Sequence, residues 1–350
     1  MKLLDARQLA LATVVLAGSL AVSFVALPQA GYHLLKKYDL GAAPGGKEYW
    51  DYITFDASSR RLYISHNTEV KVVDADSGTI VGSVPDLKRV HGIVVMGDLG
   101  RGFISDGGAD EVVVFDLKTL KPTSHIKTGG NPDCIIYDPA SKHIFTMNGK
   151  TNDASVIDPA SLAVVATIPI GGRPEYAVPD GHGTIYDNVE DKNEVVAIDS
   201  MTNTVKSHWP IAPAEEATAI DLDAQHHRLF IGGRNKVLAI MNVDSGKVVQ
   251  TFPIGAGVDT NIYEPSSGTL FVAAREGTLH VYHEDSPDSF RVVETVKTEF
   301  GARNLALDPK THQLFIDTAD FAPAAEPTTE QPHPQPTPVS GTFRLLVYGR

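Results

Sequence analysis

Residues 60–84 read "RRLYISHNTEVKVVDADSGTIVGSV". Three short apolar runs are divided by the polar clusters "HNTE" and "DADSG", each rich in turn-forming residues. Runs of this length, dominated by Val, Ile and Tyr and bounded by Asn, Asp, Ser and Gly, predict β-strands joined by tight turns. The question is what three or four such strands pack against.

The rest of the chain answers by repetition. The "LYI" around Tyr63 recurs as "GFI" at Phe103, "IFT" at Phe145, "IYD" at Tyr186, "LFI" at Phe230, "LFV" at Phe271 and "LFI" at Phe315, with spacings of 40, 42, 41, 44, 41 and 44 residues. Eleven to thirteen residues after the aromatic comes "VVD" (Asp74), "VFD" (Asp116), "VID" (Asp158) or "AID" (Asp199), and "IMN" (Asn242) in the fifth copy. A turn follows, then a strand ending in sequences such as "IPIGG" or "FPIGAG". Four strands per 40–45 residues is the period of a β-propeller blade, whereas solenoid repeats are shorter. The seventh copy is interrupted by a Pro-rich insertion over residues 319–341. It resumes with "FRLLVYG" and lacks a fourth strand. "YHLLKKYDL", Tyr32–Leu40, resembles the fourth strands "LAVVATIPI" and "GKVVQTFPI" and has no neighbour of its own. The expected fold is therefore all-β: one seven-bladed β-propeller over residues 31–350, built of four-stranded antiparallel blades. Its ring is closed by the N-terminal strand completing the last blade, which removes an open edge.

The units resemble the YVTN repeat of bacterial exported β-propellers, most clearly in "RRLYISHNTEVKVVDADSGTIVGSV" and "KHIFTMNGKTNDASVIDPASLAVVATIPIGGRPE", although no copy spells Tyr-Val-Thr-Asn. The resemblance covers about residues 31–350. It implies seven blades and a place in the periplasm or at the cell surface. It implies little about activity, because the fold hosts binding modules, scaffolds and enzymes alike.

The chain has 350 residues, 30 Gly, 22 Pro and a formal net charge of −13. That balance opposes non-specific attraction to nucleic acid or to an anionic membrane. Residues 1–30 begin with Lys2 and Arg7 and continue through an uncharged run from Leu9 to Leu27. This is the layout of a secretory signal, or of an uncleaved anchor that would be the only membrane contact. Both readings export the propeller to the periplasm or outside the cell. Cys134 is the single cysteine, so the expected exported monomer has no internal disulfide and relies on its core.

In a propeller blade, the loop entering the innermost strand and the loop between the second and third strands lie on one face. Stacking the seven copies puts Asp51, His91, Asp133, Glu175, Thr218, Asp259 and Arg303 at equivalent positions around the channel. The ends of the second strands add His66, Asn148, Asn188, Arg234 and Arg275. Four carboxylates in one mouth need compensation. A hard cation such as Ca²⁺, or another divalent ion, held by Asp51, Asp133, Glu175 and Asp259 is one answer. A polar or cationic ligand is a second, and a solvated channel is a third.

Two functions follow from these alternatives. One is an exported binding or scaffold protein whose charged mouth takes a small ligand, an envelope polymer or a protein partner. The other is a divalent-metal-assisted ester or lactone hydrolase at the same acidic ring, with His91 or a carboxylate as base. The absence of a zinc-protease helix motif, a Gly-x-Ser-x-Gly elbow or a haem-attachment motif favours binding. The catalytic residues of the second reading stay unassigned. Cys134 reads as a buried thiol beside Asp133, His226–His227 as a surface turn on the opposite face, and "DADSG" as turn chemistry. Trp50, beside Asp51, is either blade packing or a ligand platform.

Overall fold

The repeated aromatic is what the blades are built around. Tyr63, Phe103, Phe145, Tyr186, Phe230, Phe271 and Phe315 are all buried, none more than 6% exposed. Each lies on the second strand of its sheet, with Val, Ile and Leu from both neighbouring strands packed around it. Burying one such ring is worth roughly 1.5–3 kcal/mol, so the repeat period is also the period of the core. The computed structural model describes residues 31–328 and 334–350. Among them, seven four-stranded antiparallel sheets form a β-propeller. The expected signal or anchor over residues 1–30 and the middle of the insertion lie outside the described residues. No described helix is long and apolar enough to cross a membrane.

Blade one is Trp50–Asp56, Arg61–His66, Glu69–Asp74 and Ile80–Val84, paired in sequence order. Blades two to six repeat it, with inner strands Val90–Met96, Pro132–Asp138, Pro174–Pro179, Ala217–Asp223 and Val258–Glu264. Blade seven joins both ends of the propeller: Leu305–Asp308, Gln313–Thr318 and Phe343–Gly349 are followed outward by His33–Gly41. The N-terminal strand pairs antiparallel from His33↔Gly349 to Gly41↔Phe343. Its last residues turn inward, and Leu40 packs into the core with Trp50 and Phe343. The unpaired strand of the sequence thus closes the ring.

The Asp of the repeat is a turn device. Asp74 accepts hydrogen bonds from the Ser77 backbone N (2.8 Å) and hydroxyl (2.7 Å). Asp116, Asp199 and Asn242 likewise accept from the backbone N–H three residues on, while Asp158 accepts from Ala160 N and the Ser161 hydroxyl. The residue closing each of these turns is left-handed, and Gly78 (φ 71°) suits that need, whereas Leu120 and Leu162 adopt φ near 58° without it.

At the other end of the blades the inner strands share an irregularity. Each inner strand of blades one to six breaks register with its neighbour in its first turn of pairing: Trp50/Ile53, Val90/Ile93, Pro132/Ile135, Pro174/Ala177, Ala217/Ala219 and Val258/Thr260. A bulge bends a strand and re-aims its side chains. The first residues inside these bulges are Asp51, His91, Asp133, Glu175, Thr218 and Asp259.

The insertion of blade seven starts as a short ladder, Phe321–Ala322 against Thr337–Pro338. Phe321 stands edge-on to Trp50 (5.9 Å) and Phe300 (4.9 Å).

Candidate functional site at the channel mouth

Six of the seven bulge and ring positions line one cavity of about 510 Å³ at the channel mouth: Asp51, His91, Asp133, Glu175, Asp259 and Arg303. Arg234 joins them from the end of a second strand. Thr218 does not; it is buried and its hydroxyl donates to the Val258 carbonyl at 2.7 Å. His66 is fully buried, stacked on Phe343 at 4.2 Å with its Nε2 2.6 Å from Glu48. Asn148 lies inside its blade, donating to Asp153 and Ser155, and Asn188 is buried there too. Arg275 lies over Phe300 and Phe321 (5.3 and 5.7 Å) and lines a smaller neighbouring cavity of about 210 Å³, which Tyr49, Trp50 and Arg303 also border. Trp50 itself is core, 5.1 Å from Phe343.

The mouth contains more charge than the seven positions account for. Arg89, Lys150, Arg173 and Glu190 also line it. Arg89, Asn131 and Arg173 stand two residues before His91, Asp133 and Glu175, as Tyr49 stands two before Asp51. All four precede their strands, Arg89 and Asn131 with left-handed backbone (φ 50° and 51°), so the alternation of a strand does not place them. Lys150 and Glu190 stand two beyond Asn148 and Asn188, so the same-face residues begin where the second strand ends.

The floor of the cavity is held by Asp51, His91 and Asp133. His91 Nδ1 is 2.7 Å from Asp51 Oδ2 and 3.3 Å from Asp133 Oδ1. The Tyr49 hydroxyl donates to Asp51 Oδ2 at 3.0 Å, and its ring lies under the Arg89 guanidinium at 4.9 Å. The other imidazole nitrogen, Nε2, has no hydrogen-bond partner and packs against Gly107, where an added Cβ would meet it at 2.7 Å. Burial disfavours the imidazolium, but the Asp133 charge and the hydrogen bond and charge of Asp51 overcome it, so the His91 pKa is raised. For Asp51 burial is likewise outweighed, chiefly by His91 and then Arg303, and its pKa is lowered.

The remaining floor carboxylates are not compensated in this way. Burial raises Asp133 to about 6 against the pull of His91, with Asp51 and Asp259 adding repulsion. Asp259 is also raised to about 6 by burial, although Arg303 Nε lies 3.1 Å away. Glu175 is raised well above the usual range by burial and then by Asp133, Glu190, Asp259 and Asp51, none of which relieves it. Around these half-buried acids stands an exposed cationic rim of Arg89, Lys150, Arg173 and Arg234. Glu190 ties two of them together, 2.5 Å from Arg173 and 3.2 Å from Arg234.

Two clusters among the described residues bring three carboxylate or imidazole donor atoms within 4.8 Å of one another. One is Asp51, His91 and Asp133 in the mouth, and the other is Asp223, His226 and Glu284 on the opposite, turn-bearing face. Glu175 and Asp259 belong to neither. Ca²⁺ takes six to eight oxygens, and two carboxylates with an imidazole already held by both of them do not make that set.

The chain matches no protein-family model and no curated protein. Solved structures resemble it in shape. A chain of the mitotic checkpoint complex superposes with a TM-score of 0.71 at 15% identity, covering 97% of this chain and 99% of that one. A chain of Kuenenia stuttgartiensis hydrazine synthase gives a TM-score of 0.66 at 17% identity, covering 76% of this chain and 91% of that one. At such identities the likeness is one of fold.

Proposed function

We propose that the protein is a binding protein whose channel mouth takes a small dipolar ligand, its cationic group directed to the acidic floor and its anionic group to the basic rim. One observation carries this reading: a cavity of about 510 Å³ in which half-buried carboxylates held above their usual pKa face an exposed ring of Arg and Lys. An ammonium group near Glu175 and Asp133 would supply the compensation that the fold withholds. The rim guanidinium groups suit a carboxylate or phosphate. Membership of the exported YVTN-repeat propellers, and a place in the periplasm or at the cell surface, belong to the same proposal. They are supported by the repeat pattern and by the signal-like residues 1–30.

Metal-assisted hydrolysis is less well supported. His91 has one nitrogen engaged by Asp51 and the other packed against Gly107, so neither is free to act as a base toward a bound water.

The test is a thermal-shift screen of the full chain against amino acids, dipeptides, amino sugars and phosphorylated amines, followed by calorimetry of any hit. A hit should bind at least tenfold more weakly, about 1.4 kcal/mol, to Asp133→Asn and to Arg173→Ala. Hits that bind both variants as well as the parent, or a panel without hits, would overturn the assignment. Chelator-sensitive turnover of simple lactones would replace it with the hydrolase.

A further inference from the structure

On the turn-bearing face, the inner strands of blades one, three, five, six and seven each end in an acid: Asp56, Asp138, Asp223, Glu264 and Asp308. Where such an acid meets the following blade, it meets a basic side chain in two cases. Asp308 is 2.8 Å from Arg60 of blade one, and Glu264 is 2.7 Å from His312 of blade seven. Blade five breaks the pattern. Asp223 is approached from blade six by a second carboxylate, Glu284, with His226 of its own turn between them.

Each of the two carboxylates is anchored through one oxygen and presents the other to a common point, and His226 presents its Nδ1 from a fixed main chain. Asp223 Oδ1 accepts from the backbone N–H groups of Gln225 (3.0 Å) and His226 (3.2 Å), leaving Oδ2 to face His226 Nδ1 at 2.7 Å. Glu284 Oε2 accepts from the Tyr263 hydroxyl. Glu284 Oε1 has no hydrogen-bond partner, although the residue is only 9% exposed, and it lies 3.0 Å from the same His226 Nδ1. The His226 carbonyl is fixed by Arg228 at 2.7 Å. One N–H cannot serve both carboxylates, and the Glu284 oxygen is the one left out.

We infer that Asp223 Oδ2, Glu284 Oε1 and His226 Nδ1 form a binding site for a first-row divalent cation, of which Zn²⁺ is the best match. Mixed imidazole and carboxylate donors are the usual set for such ions, at bond lengths of about 2.0–2.2 Å. Ligand atoms around a tetrahedral ion of that size stand roughly 3.3–3.5 Å apart, so the observed separations of 2.7 and 3.0 Å need open only slightly. Tyr263 supplies the outer hydrogen bond that orients a ligating carboxylate. The His226 side chain is 37% exposed, so the ion can enter from solvent and keep a water as its fourth ligand. The ion would clip blade five to blade six at the place where the other acids are clipped by Arg60 and His312. The sequence hides this site because the histidine pair supplies only one donor, and the third ligand comes from the third strand of the next blade.

The test uses the full chain, stripped with a chelator and titrated with Co²⁺, then with Zn²⁺. One equivalent of Co²⁺ should give the intense visible absorption of four-coordinate Co²⁺, displaced by Zn²⁺ with a rise in Tm. His226→Asn and Glu284→Gln should each weaken binding at least tenfold. Asp133→Asn and Glu175→Gln, in the mouth, should leave it unchanged. The His226 side chain is partly exposed and Glu284→Gln removes a repulsion, so both variants should melt no lower than the stripped parent. Absence of one-to-one binding below about 100 μM (roughly 5.5 kcal/mol), unaltered affinity in both variants, or loss in the mouth variants instead would overturn the site.

Discussion

The two faces of the propeller use the same residue type to opposite effect. On the turn-bearing face, Asp74, Asp116, Asp158 and Asp199 accept hydrogen bonds from hydroxyl and backbone N–H groups of their own turns, or from a nearby lysine, and their pKa values fall, that of Asp199 to about 2. In the mouth, Asp133, Asp259 and Glu175 are raised, because burial and one another's charge outweigh the cations near them. A carboxylate answered within its own repeat is part of the fold. One left to face carboxylates from other blades has no such answer in its own repeat, and on that contrast the proposed ligand site rests.

The largest effect expected on this comparison is at Asp308. It is fully buried and holds Arg60 (2.8 Å), the Thr311 hydroxyl (2.7 Å) and the Lys310 N–H (3.0 Å). Asp308→Ala should cost about 2–3 kcal/mol in denaturant unfolding. Burial raises the Asp308 carboxyl, but Arg60, Thr311 and Lys310 together lower it below its unfolded value. Its stabilisation is therefore present above about pH 4 and lost as pH falls through the lower folded value, and the gap between parent and variant should close in acid. A gap independent of pH would break the comparison on this face.

No effect at all is expected at Cys134. It follows Asp133 on the strand but faces the other way, with Sγ accepting from the Ala177 N–H at 3.4 Å. Burial pushes the thiol far up. A thiol reagent should label it only at the rate of unfolding; rapid labelling of the native protein would mean the mouth reaches through the strand.

The ring architecture was legible because core and repeat share one period, so each aromatic announces its blade. The closing strand was legible because Tyr32–Leu40 resembles the fourth strands elsewhere. The mouth was only half legible. Asp51, His91, Asp133, Glu175 and Asp259 share a position that a bulge re-aims inward, and aligned copies reveal a shared position. Arg89, Arg173, Lys150 and Glu190 lie two residues from the aligned positions, where the loops vary between copies. Asn148 and Asn188 looked equivalent to mouth residues, but the last pleat of the strand turns them into the blade. Pairings between blades, such as His91 with Asp51 or His226 with Glu284, leave no local signature, because the partners lie in different repeats.

The most direct measurement compares thermal melts of the parent and Glu175→Gln from pH 4.5 to pH 8. A carboxyl raised on folding binds more protons folded than unfolded, so it lowers stability as pH rises above about 4.3 toward the folded value. The variant should match the parent near pH 4.5 and melt higher at pH 8, by about 3 °C or more, with the gap growing steadily between. Equal melting temperatures throughout, or a variant that melts lower at pH 8, would mean the fold itself compensates Glu175, and the mouth would lose its claim to be held open for a ligand.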